Sequence, residues 1–528
     1  MNNPNQYKVI VIGGGPAGVT AALHARELGA SVALVERANL GGTCTNDGCV
    51  PTRVLAKAAR LVRDAEQFTD YGLVCERPQV DFARLMARTQ QVVYQLHEKK
   101  QLLDHLAQAG VLVFGNAGPA HFVDPHTLAL ADGTQLSAEK FILCAGGRPR
   151  RLDFPGSEHA LTHSDVWSLK KLPASVAIIG AAATGCQLAS IFAAFGARVH
   201  LLELAPRILA VEDELVSQTI AHAFQQRGLE VITGISGITS IEPQAGQLQF
   251  DYSRNDQPHS LTIEAVVMAV GWPSNGDTLN LAAAGVNSER GYVAVDDTLQ
   301  TSVPHIFAAG DLTGRMMLVQ SGSYEARIAA ENAVLGLKRA CIHQIVPHGG
   351  FTDPEYGSVG LTESRARASE SDCVAAVVPY ADLDRAVIDD NPAGFCKLVV
   401  SRRSRQVLGA HVVGEQAVEI VQIVAAGMAA GTRVEQLADL ELAIPPSPRL
   451  SAWLPGRWCV NWTVQPWPPS GAHSNRSVPA PSSGNCRRPE AEENGSNPRL
   501  RCDCDWVRSK RPGRSDYPGP GWLFDPAA

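Results

Sequence analysis

The feature that most constrains the fold of this 528-residue chain is a glycine-rich turn between an apolar strand and a helix, which occurs twice. In the first copy, the β-branched run at residues 8–12 predicts a buried strand, and residues 17–28 follow with helical spacing. A second apolar strand, residues 31–35, leads to Glu36. The glycines of this G-x-G-x-x-G turn are Gly13, Gly15 and Gly18. The order of elements predicts an α/β unit of the Rossmann type.

Each part of this unit has a physical role in binding a dinucleotide. Gly13 allows a tight turn, Gly15 lets the backbone approach a pyrophosphate, and Gly18 lets the helix pack closely on the strand. The helix N-terminus faces the phosphates, and Glu36 accepts a hydrogen bond from a ribose hydroxyl. The complete unit therefore predicts a dinucleotide site, and a glycine turn without a ligand is the alternative.

The second copy begins with the apolar strand at residues 175–179 and continues through the turn from Gly180 to Gly185. A helix and a second strand follow, and Glu203 closes the unit. Ala182 stands where the middle glycine is usual, so a methyl group faces the expected pyrophosphate. Two such units in one chain predict two dinucleotide sites.

Two cysteines follow the first unit directly, within the segment G-G-T-C-T-N-D-G-C-V-P. Pro51 suits the first turn of a helix, so Cys44 and Cys49 should lie at or near a helix N-terminus. The helix dipole favours a reactive thiolate there. A metal-binding pair is the alternative, but no second cysteine or histidine pair at ligand spacing lies nearby, and we predict no metal site.

The cysteine segment resembles the active-site signature of the FAD-dependent pyridine nucleotide–disulfide oxidoreductases, which include dihydrolipoamide dehydrogenase, glutathione reductase and mercuric reductase. The resemblance covers residues 7–443 and implies that Cys44 and Cys49 form a redox-active disulfide. Cys49 would then lie against the flavin, and Cys44 would exchange with the substrate. Gly42 and Thr43 of the same segment are implied to bind the cofactor. Arg53 stands where many members have a lysine beside the flavin.

The same resemblance assigns FAD to the first glycine turn and NAD(P)H to the second. Cys144-Ala145-Gly146-Gly147 resembles the family's crossover into the NAD(P) domain, and the segment at Gly271 resembles the return. Residues 306–311 resemble the second flavin motif, in which a strand delivers Asp311 to the ribitol and Gly310 permits close approach. A helix cap is the alternative role for Asp311.

The choice between NADH and NADPH depends on Glu203. A carboxylate accepts a hydrogen bond from a ribose 2′-hydroxyl and repels a 2′-phosphate, which favours NADH. Arg207 lies nearby and weakens that preference, so NADPH stays open.

We therefore predict an α/β protein with two Rossmann-like dinucleotide-binding domains and an α+β C-terminal dimerisation domain. In the family the partner's C-terminal domain completes each active site, so a homodimer is expected if that domain is intact. The expected domains are residues 1–150 with 271–340 for FAD, 151–270 for NAD(P)H, 341–443 for an incomplete dimerisation domain, and 444–528 for an aberrant tail.

The tail departs from the rest of the chain, because it holds 6 of the 8 tryptophans and 15 of the 33 prolines without helical or strand periodicity. The family motif expected here is H-P-T-x-x-E or Y-P-T-x-x-E, but the chain reads Ile444-Pro445-Pro446-Ser447-Pro448. Back-translation one base earlier restores a segment (Y or H)-P-T-F-T-E. Our hypothesis is one missing nucleotide near codon 444, which resequencing of the gene would decide.

Composition excludes several function classes. The formal net charge is −7 with no long basic run, which argues against nucleic acid as a partner. The chain shows no signal peptide and no run of about 18 apolar residues, so we expect a soluble cytoplasmic protein that does not cross a membrane.

The expected activity is an enzymatic transfer of hydride from NAD(P)H to FAD, then through Cys49 and Cys44 to a small-molecule or metal-ion substrate. The residues after the pair resemble the mercuric reductase branch most, which implies reduction of Hg(II). Dihydrolipoyl dehydrogenase or another small-disulfide reductase is the alternative. A flavoprotein that binds cofactors but is impaired by its altered C-terminus is a third possibility.

Overall fold

The computed structural model describes residues 5–74, 76–369 and 372–440. The predicted aberrant tail and its altered family motif lie outside these residues. No helix within the described ranges is both long enough and apolar enough to cross a membrane.

The first part of the chain forms a sheet in the order β3-β2-β1-β6-β5-β4, in which β1, β2, β3 and β6 run parallel. Residues 9–12 of β1 and all of β2 are buried on both faces, which explains their uninterrupted apolar sequences. The strands are β1 (Gln6–Ile12), β2 (Val32–Val35), β3 (Val111–Phe114), β4 (His121–Asp124), β5 (Thr127–Ala129) and β6 (Gln135–Leu143). The helices are α1 (Pro16–Glu27), α2 (Gly42–Asn46), α3 (Cys49–Asp64), α4 (Phe82–Lys100) and α5 (Leu102–Gln108).

The second part contains a parallel sheet, β10-β9-β8-β14-β7, and an antiparallel sheet, β11-β12-β13. The strands are β7 (Leu161–Thr162), β8 (Ser175–Ile179), β9 (Arg198–Glu203), β10 (Glu230–Thr233), β11 (Ile235–Gln244), β12 (Gln247–Arg254), β13 (Gln257–Ile263) and β14 (Ala265–Met268). The helices are α6 (His163–Val166), α7 (Ala183–Ala194) and α8 (Glu214–Gln226).

The chain then returns to the first sheet. The strand β17 pairs in parallel with β6, with Ile306 opposite Phe141, and the following helix packs against α1. The elements of this return are β15 (Ser288–Glu289), β16 (Tyr292–Val293), β17 (Ile306–Ala308) and α9 (Val319–Leu335). The first nucleotide-binding unit is thus built from two separate stretches of chain.

The last described part is an antiparallel sheet, β18-β19-β22-β21-β20, with α12 packed on it. Its strands are β18 (His348–Gly350), β19 (Tyr356–Gly360), β20 (Cys373–Pro379), β21 (Phe395–Ser401) and β22 (Val407–Val413). Its helices are α10 (Glu363–Ser369), α11 (Asp384–Ile388), α12 (Ala417–Ala429) and α13 (Val434–Ala438).

A buried ionic network joins this C-terminal sheet to the second nucleotide-binding unit. The Nζ atom of Lys397 lies 2.8 Å from Asp213 and 2.7 Å from Glu363. Lys397 and Asp213 are both buried; burial raises the pKa of Asp213, but the hydrogen bonds from Lys397 and from the backbone N–H of Glu363, together with nearby positive charge, lower it overall. A buried ammonium with two carboxylate partners fixes the distance between the sheet and α8.

The predicted fold class is confirmed, since two parallel sheets with helices precede an α+β C-terminal domain. One local expectation is corrected, because β17 ends at Ala308 and does not reach Asp311. Asp311 lies in a short 3-10 helix, Gly310–Thr313, since the positive φ of Gly310 (77°) ends the extended backbone before it.

The packing of α7 on β8 predicts that Gly185→Ala destabilises the protein. An added Cβ would lie 1.8 Å from the carbonyl oxygen of Gly180, so helix and strand must separate. We expect a loss of about 3 kcal/mol, seen as a fall of roughly 5 °C or more in the apparent melting temperature. Gly237→Ala is the control, because no heavy atom lies within 4 Å of its added Cβ. Equal melting temperatures for the two variants would contradict this account of the turn.

Candidate active site

A cavity of about 1270 Å³ runs between the two nucleotide-binding units and reaches the C-terminal sheet. It is lined by residues from the first glycine turn, both cysteines, the second glycine turn, and the strand β18. Most predicted site residues line it, namely Gly13, Gly15, Glu36, Gly42, Thr43, Cys44, Cys49, Arg53, Ala145, Gly146, Gly271, Gly310 and Asp311. Four others do not line it, namely Gly18, Gly180, Gly185 and Glu203.

In the first turn, close packing requires a glycine at Gly18, whereas the glycine at Gly15 leaves open space. An added Cβ at Gly18 would lie 1.7 Å from the carbonyl oxygen of Gly13, so α1 can approach β1 only without a side chain there. At Gly15 the nearest atom to an added Cβ is the Cα of Gly42, at 3.8 Å. Since no protein atom excludes a side chain at Gly15, its absence leaves room for a ligand at the N-terminus of α1.

Glu36 and Glu203 accept hydrogen bonds from the backbone of their glycine turns in the same way. Glu36 accepts hydrogen bonds from the backbone N–H groups of Gly14 (2.6 Å) and Ala38 (2.7 Å). Glu203 accepts from Ala181 (2.6 Å) and Ala205 (2.9 Å). Each carboxylate is therefore fixed at the mouth of its turn, where a ribose would lie.

The second turn differs from the first at the expected phosphate position. Ala182 is exposed, and it lines the cavity with Ala183 and Thr184. Gln187, one turn further along α7, donates to the carbonyl oxygen of Ala183 and accepts from the backbone N–H of Phe351 at 3.3 Å. The methyl group of Ala182 therefore lines the cavity, and Gln187 hydrogen-bonds the helix after the turn to the C-terminal domain.

The two cysteines occupy different backbone environments. Cys44 lies inside the short helix α2, whereas Cys49 is the first residue of α3, where the helix dipole stabilises negative charge. Both side chains are thiols in this structure. A hydrogen bond from Cys44 lowers the pKa of Cys49 to about 7, and the backbone N–H and Arg53 add to this effect. The pKa of Cys44 is raised by the same hydrogen bond and by burial.

Arg53 lies one turn after Cys49 on α3, with its guanidinium 4.5 Å from the centroid of the Phe351 ring. This cation–π contact joins the cysteine helix to the C-terminal domain. The sequence contained no signal for it, because Phe351 belongs to no motif and lies far along the chain from Arg53.

Asp311 is half-buried, and burial raises the pKa of its carboxyl group. The indole N–H of Trp272 donates to its Oδ2 at 3.0 Å. Trp272 follows Gly271 in the return segment, which is anchored to the crossover where the Asn275 side chain donates to the carbonyl oxygen of Ala145 (2.9 Å). The crossover, the return and the second flavin motif therefore meet at one edge of the cavity.

Two further cavity residues were missed by sequence reasoning. His163 begins α6, and its ring lies 5.1 Å from the Trp272 ring; burial lowers its pKa. Trp167, in the same segment, donates through its indole N–H to the carbonyl oxygen of Asp47, between the two cysteines. Neither residue forms part of a recurring pattern that sequence alone would reveal.

These residues fit a bound FAD. The space at Gly15, the adjoining N-terminus of α1, and the fixed carboxylate of Glu36 suit its adenosine diphosphate part. The carboxylate of Asp311 lines the same cavity and is close enough to Cys49 for its charge to affect that thiol. When bound, FAD supplies two-electron transfer between a nicotinamide and a disulfide.

Comparisons with known proteins agree with this arrangement. Residues 7–326 match the pyridine nucleotide-disulphide oxidoreductase family, and residues 346–453 match its dimerisation domain. The mercuric reductase of Staphylococcus aureus is 31% identical over 83% of this chain and 80% of its own. The dihydrolipoyl dehydrogenase of Geobacillus stearothermophilus is 32% identical over 82% of this chain and 92% of its own.

Among solved structures, the chain resembles the HOCl-induced flavoprotein disulfide reductase RclA from Escherichia coli. The TM-score is 0.75 at 29% identity, covering 84% of this chain and 98% of the other. A Cu(II) complex of the same Escherichia coli protein has an equal TM-score. The sequence matches, the two nucleotide-binding units and the cysteine pair between them lead to one conclusion: the chain belongs to the FAD-dependent pyridine nucleotide–disulphide oxidoreductase family, whose members are enzymes that use NAD(P)H.

Proposed function

We propose that this enzyme passes electrons from NADH, through FAD and the Cys44–Cys49 pair, to Hg(II). The observation that carries the proposal is the single cavity that joins both glycine turns through the cysteine pair. A homodimer fits the match to a dimerisation domain. A cytoplasmic location, where thiols are kept reduced, fits this use of the pair.

The pKa values of the two thiols support a division of roles. Cys49 ionises near neutral pH at the N-terminus of α3, and a thiolate there can exchange charge with a flavin beside it. Cys44 keeps its proton to higher pH and is the partner that meets the substrate. This division agrees with the roles that the family resemblance implies.

Three observations favour a metal ion over a disulfide as the acceptor. Mercuric reductases are among the curated relatives, and a solved relative, which is itself named a flavoprotein disulfide reductase, forms a Cu(II) complex. In addition, residues 444–448 as the chain reads contain no histidine, and Tyr is one of the two residues that the restored reading frame allows there, whereas disulfide reduction requires an acid that protonates the leaving thiol. Reduction of Hg(II) needs no such acid, since NADH and Hg(II) give NAD⁺, a proton and Hg(0).

The acceptor is tested by comparing substrates in the purified FAD-loaded enzyme. We expect NADH oxidation to be stimulated by Hg(II) presented as a thiol complex, and to be at least about tenfold slower with lipoamide or glutathione disulfide. Volatile Hg(0) should form in equal amount to NADH consumed. Faster turnover with lipoamide would assign the enzyme as a dihydrolipoyl dehydrogenase, and no turnover with any acceptor would identify an impaired flavoprotein.

The division of roles between the cysteines predicts a spectral difference between two matched variants. Two-electron-reduced wild-type enzyme should show a thiolate–flavin charge-transfer band that is present above pH 7 and lost as the pH falls, with a midpoint of about 7, because acid protonates Cys49. Cys44→Ser should keep the band without reduction, whereas Cys49→Ser should lack it. The opposite pattern would exchange the two roles.

The environment of Arg207 supports NADH over NADPH. Its guanidinium donates to the backbone carbonyl oxygens of Leu209, Ala210 and Glu212, so it is occupied by its own loop. The Arg207 guanidinium is therefore not available to bind a 2′-phosphate, and Glu203 is left to accept a hydrogen bond from the adenosine ribose. We expect kcat/KM to be at least about tenfold higher for NADH than for NADPH.

Two variants check this preference through the same ratio. Arg207→Ala should leave the ratio of kcat/KM values unchanged, because the guanidinium does not contact the cofactor. Glu203→Gln should bring the two values closer, since it removes the repulsion of a 2′-phosphate. A selective loss of NADPH activity in Arg207→Ala would show that Arg207 does bind the phosphate.

A further inference from the structure

A second group of possible metal ligands, made of a carboxylate, a thiol and an imidazole, lies outside the cysteine pair. Glu325 of α9 meets Cys341 and His343 from the segment that follows this helix, with one ligand atom from each residue within 4.8 Å of the others. The Nε2 atom of His343 lies 2.7 Å from the Oε1 atom of Glu325 and 3.7 Å from the Sγ atom of Cys341. Glu325 is fully buried, and Cys341 is 2% exposed.

We propose that Glu325, Cys341 and His343 form a binding site for Zn²⁺. Ordinary zinc bond lengths and a tetrahedral angle place a thiolate sulfur about 3.6 Å from an imidazole nitrogen, and a carboxylate oxygen about 3.3 Å from it. The sulfur–nitrogen separation already has this value. The oxygen and nitrogen need to part by about 0.6 Å, which the ion achieves by replacing the hydrogen bond between them.

The surrounding contacts hold two of the ligands in place. The second oxygen of Glu325 accepts from the backbone N–H of Gly310 at 2.7 Å, which leaves Oε1 for the ion. Cys341 is fixed by its backbone, since its N–H donates to Asp297 (2.7 Å) and its carbonyl oxygen accepts from Arg315 (3.1 Å). Metal sites in proteins depend on such outer contacts for ligand orientation.

Charge balance also favours a divalent ion. One thiolate and one carboxylate carry two negative charges, and with a neutral imidazole they cancel the charge of Zn²⁺ in a buried position. Binding releases the thiol proton and any proton shared between Glu325 and His343. Without the ion, the same residues form a hydrogen-bonded carboxylate–histidine pair beside an inert buried thiol, which is the competing interpretation.

Three protein ligands leave the fourth tetrahedral position for water or an exogenous ligand. His343, at 10% side-chain exposure, provides the open side of the cluster. The Gly310 contact connects the cluster to the 3-10 helix that carries Asp311, so zinc bound here lies behind the proposed flavin site and apart from the acceptor thiols.

The experiment measures zinc binding to the oxidised, FAD-loaded full chain, in which Cys44 and Cys49 are joined as a disulfide and cannot bind metal. A background with serine at the four tail cysteines removes their competition; these are Cys459, Cys486, Cys502 and Cys504. After chelator treatment, the protein is titrated with Zn²⁺ against a chromophoric chelator. We expect one zinc per chain, and Co²⁺ should give a thiolate-to-cobalt charge-transfer band.

Cys341→Ser should weaken zinc binding on the order of 100-fold and abolish the cobalt band. Cys373→Ser is the matched control, because Cys373 is also buried but packs against Ala366 and Val399 away from the cluster. His343→Asn tests the same site if Cys341→Ser does not fold. No zinc bound by the background protein, or equal affinity in the Cys341 and Cys373 variants, would overturn the proposal.

Discussion

The close approach of α1 to β1 is the contact on which the rest of the site depends. It exists because Gly18 has no side chain where an added Cβ would collide with the carbonyl oxygen of Gly13. An added Cβ at Gly13 would in turn lie 2.2 Å from the carbonyl oxygen of Cys144, at the end of β6. The carboxyl ends of β1 and β6 and the start of α1 therefore meet at one edge of the sheet. The cysteine segment and the Gly310 turn can then reach the same cavity.

Local patterns predicted the elements of this arrangement well, whereas contacts between distant elements had no sequence signal. The strand β8 has the predicted bounds, α1 lies within one residue of its predicted range, and α3 includes Pro51 in its first turn as expected. By contrast, the contacts of Trp272 with Asp311 and of Arg53 with Phe351 join residues that are far apart in the chain. Such pairs have no fixed spacing, and only the three-dimensional packing brings them together.

The two cysteines differ in acidity because of the hydrogen bond between them and because of their different backbone positions. Each could ionise in solution at a similar pH, but only Cys49 begins a helix of 16 residues. Cys44 lies within a helix of five residues, and its thiol donates a hydrogen bond to the sulfur of Cys49. On the proposed function, this difference gives the pair a direction, with the more acidic thiol toward the flavin and the other toward the substrate.

The C-terminal domain lines the cavity together with the two nucleotide-binding units, and it connects those units to each other. Phe351 contacts both Arg53 on the cysteine helix and Gln187 on the second nucleotide turn, so it holds the two units at a fixed separation. The Asp213–Lys397–Glu363 network reinforces the same junction. All these contacts lie before residue 440, on the side of the cavity that the proposed function assigns to electron transfer from NAD(P)H to Cys49. The family resemblance implies that the motif expected after residue 443 serves the transfer from Cys44 to the acceptor, so on the proposed function a change there bears first on the choice of acceptor.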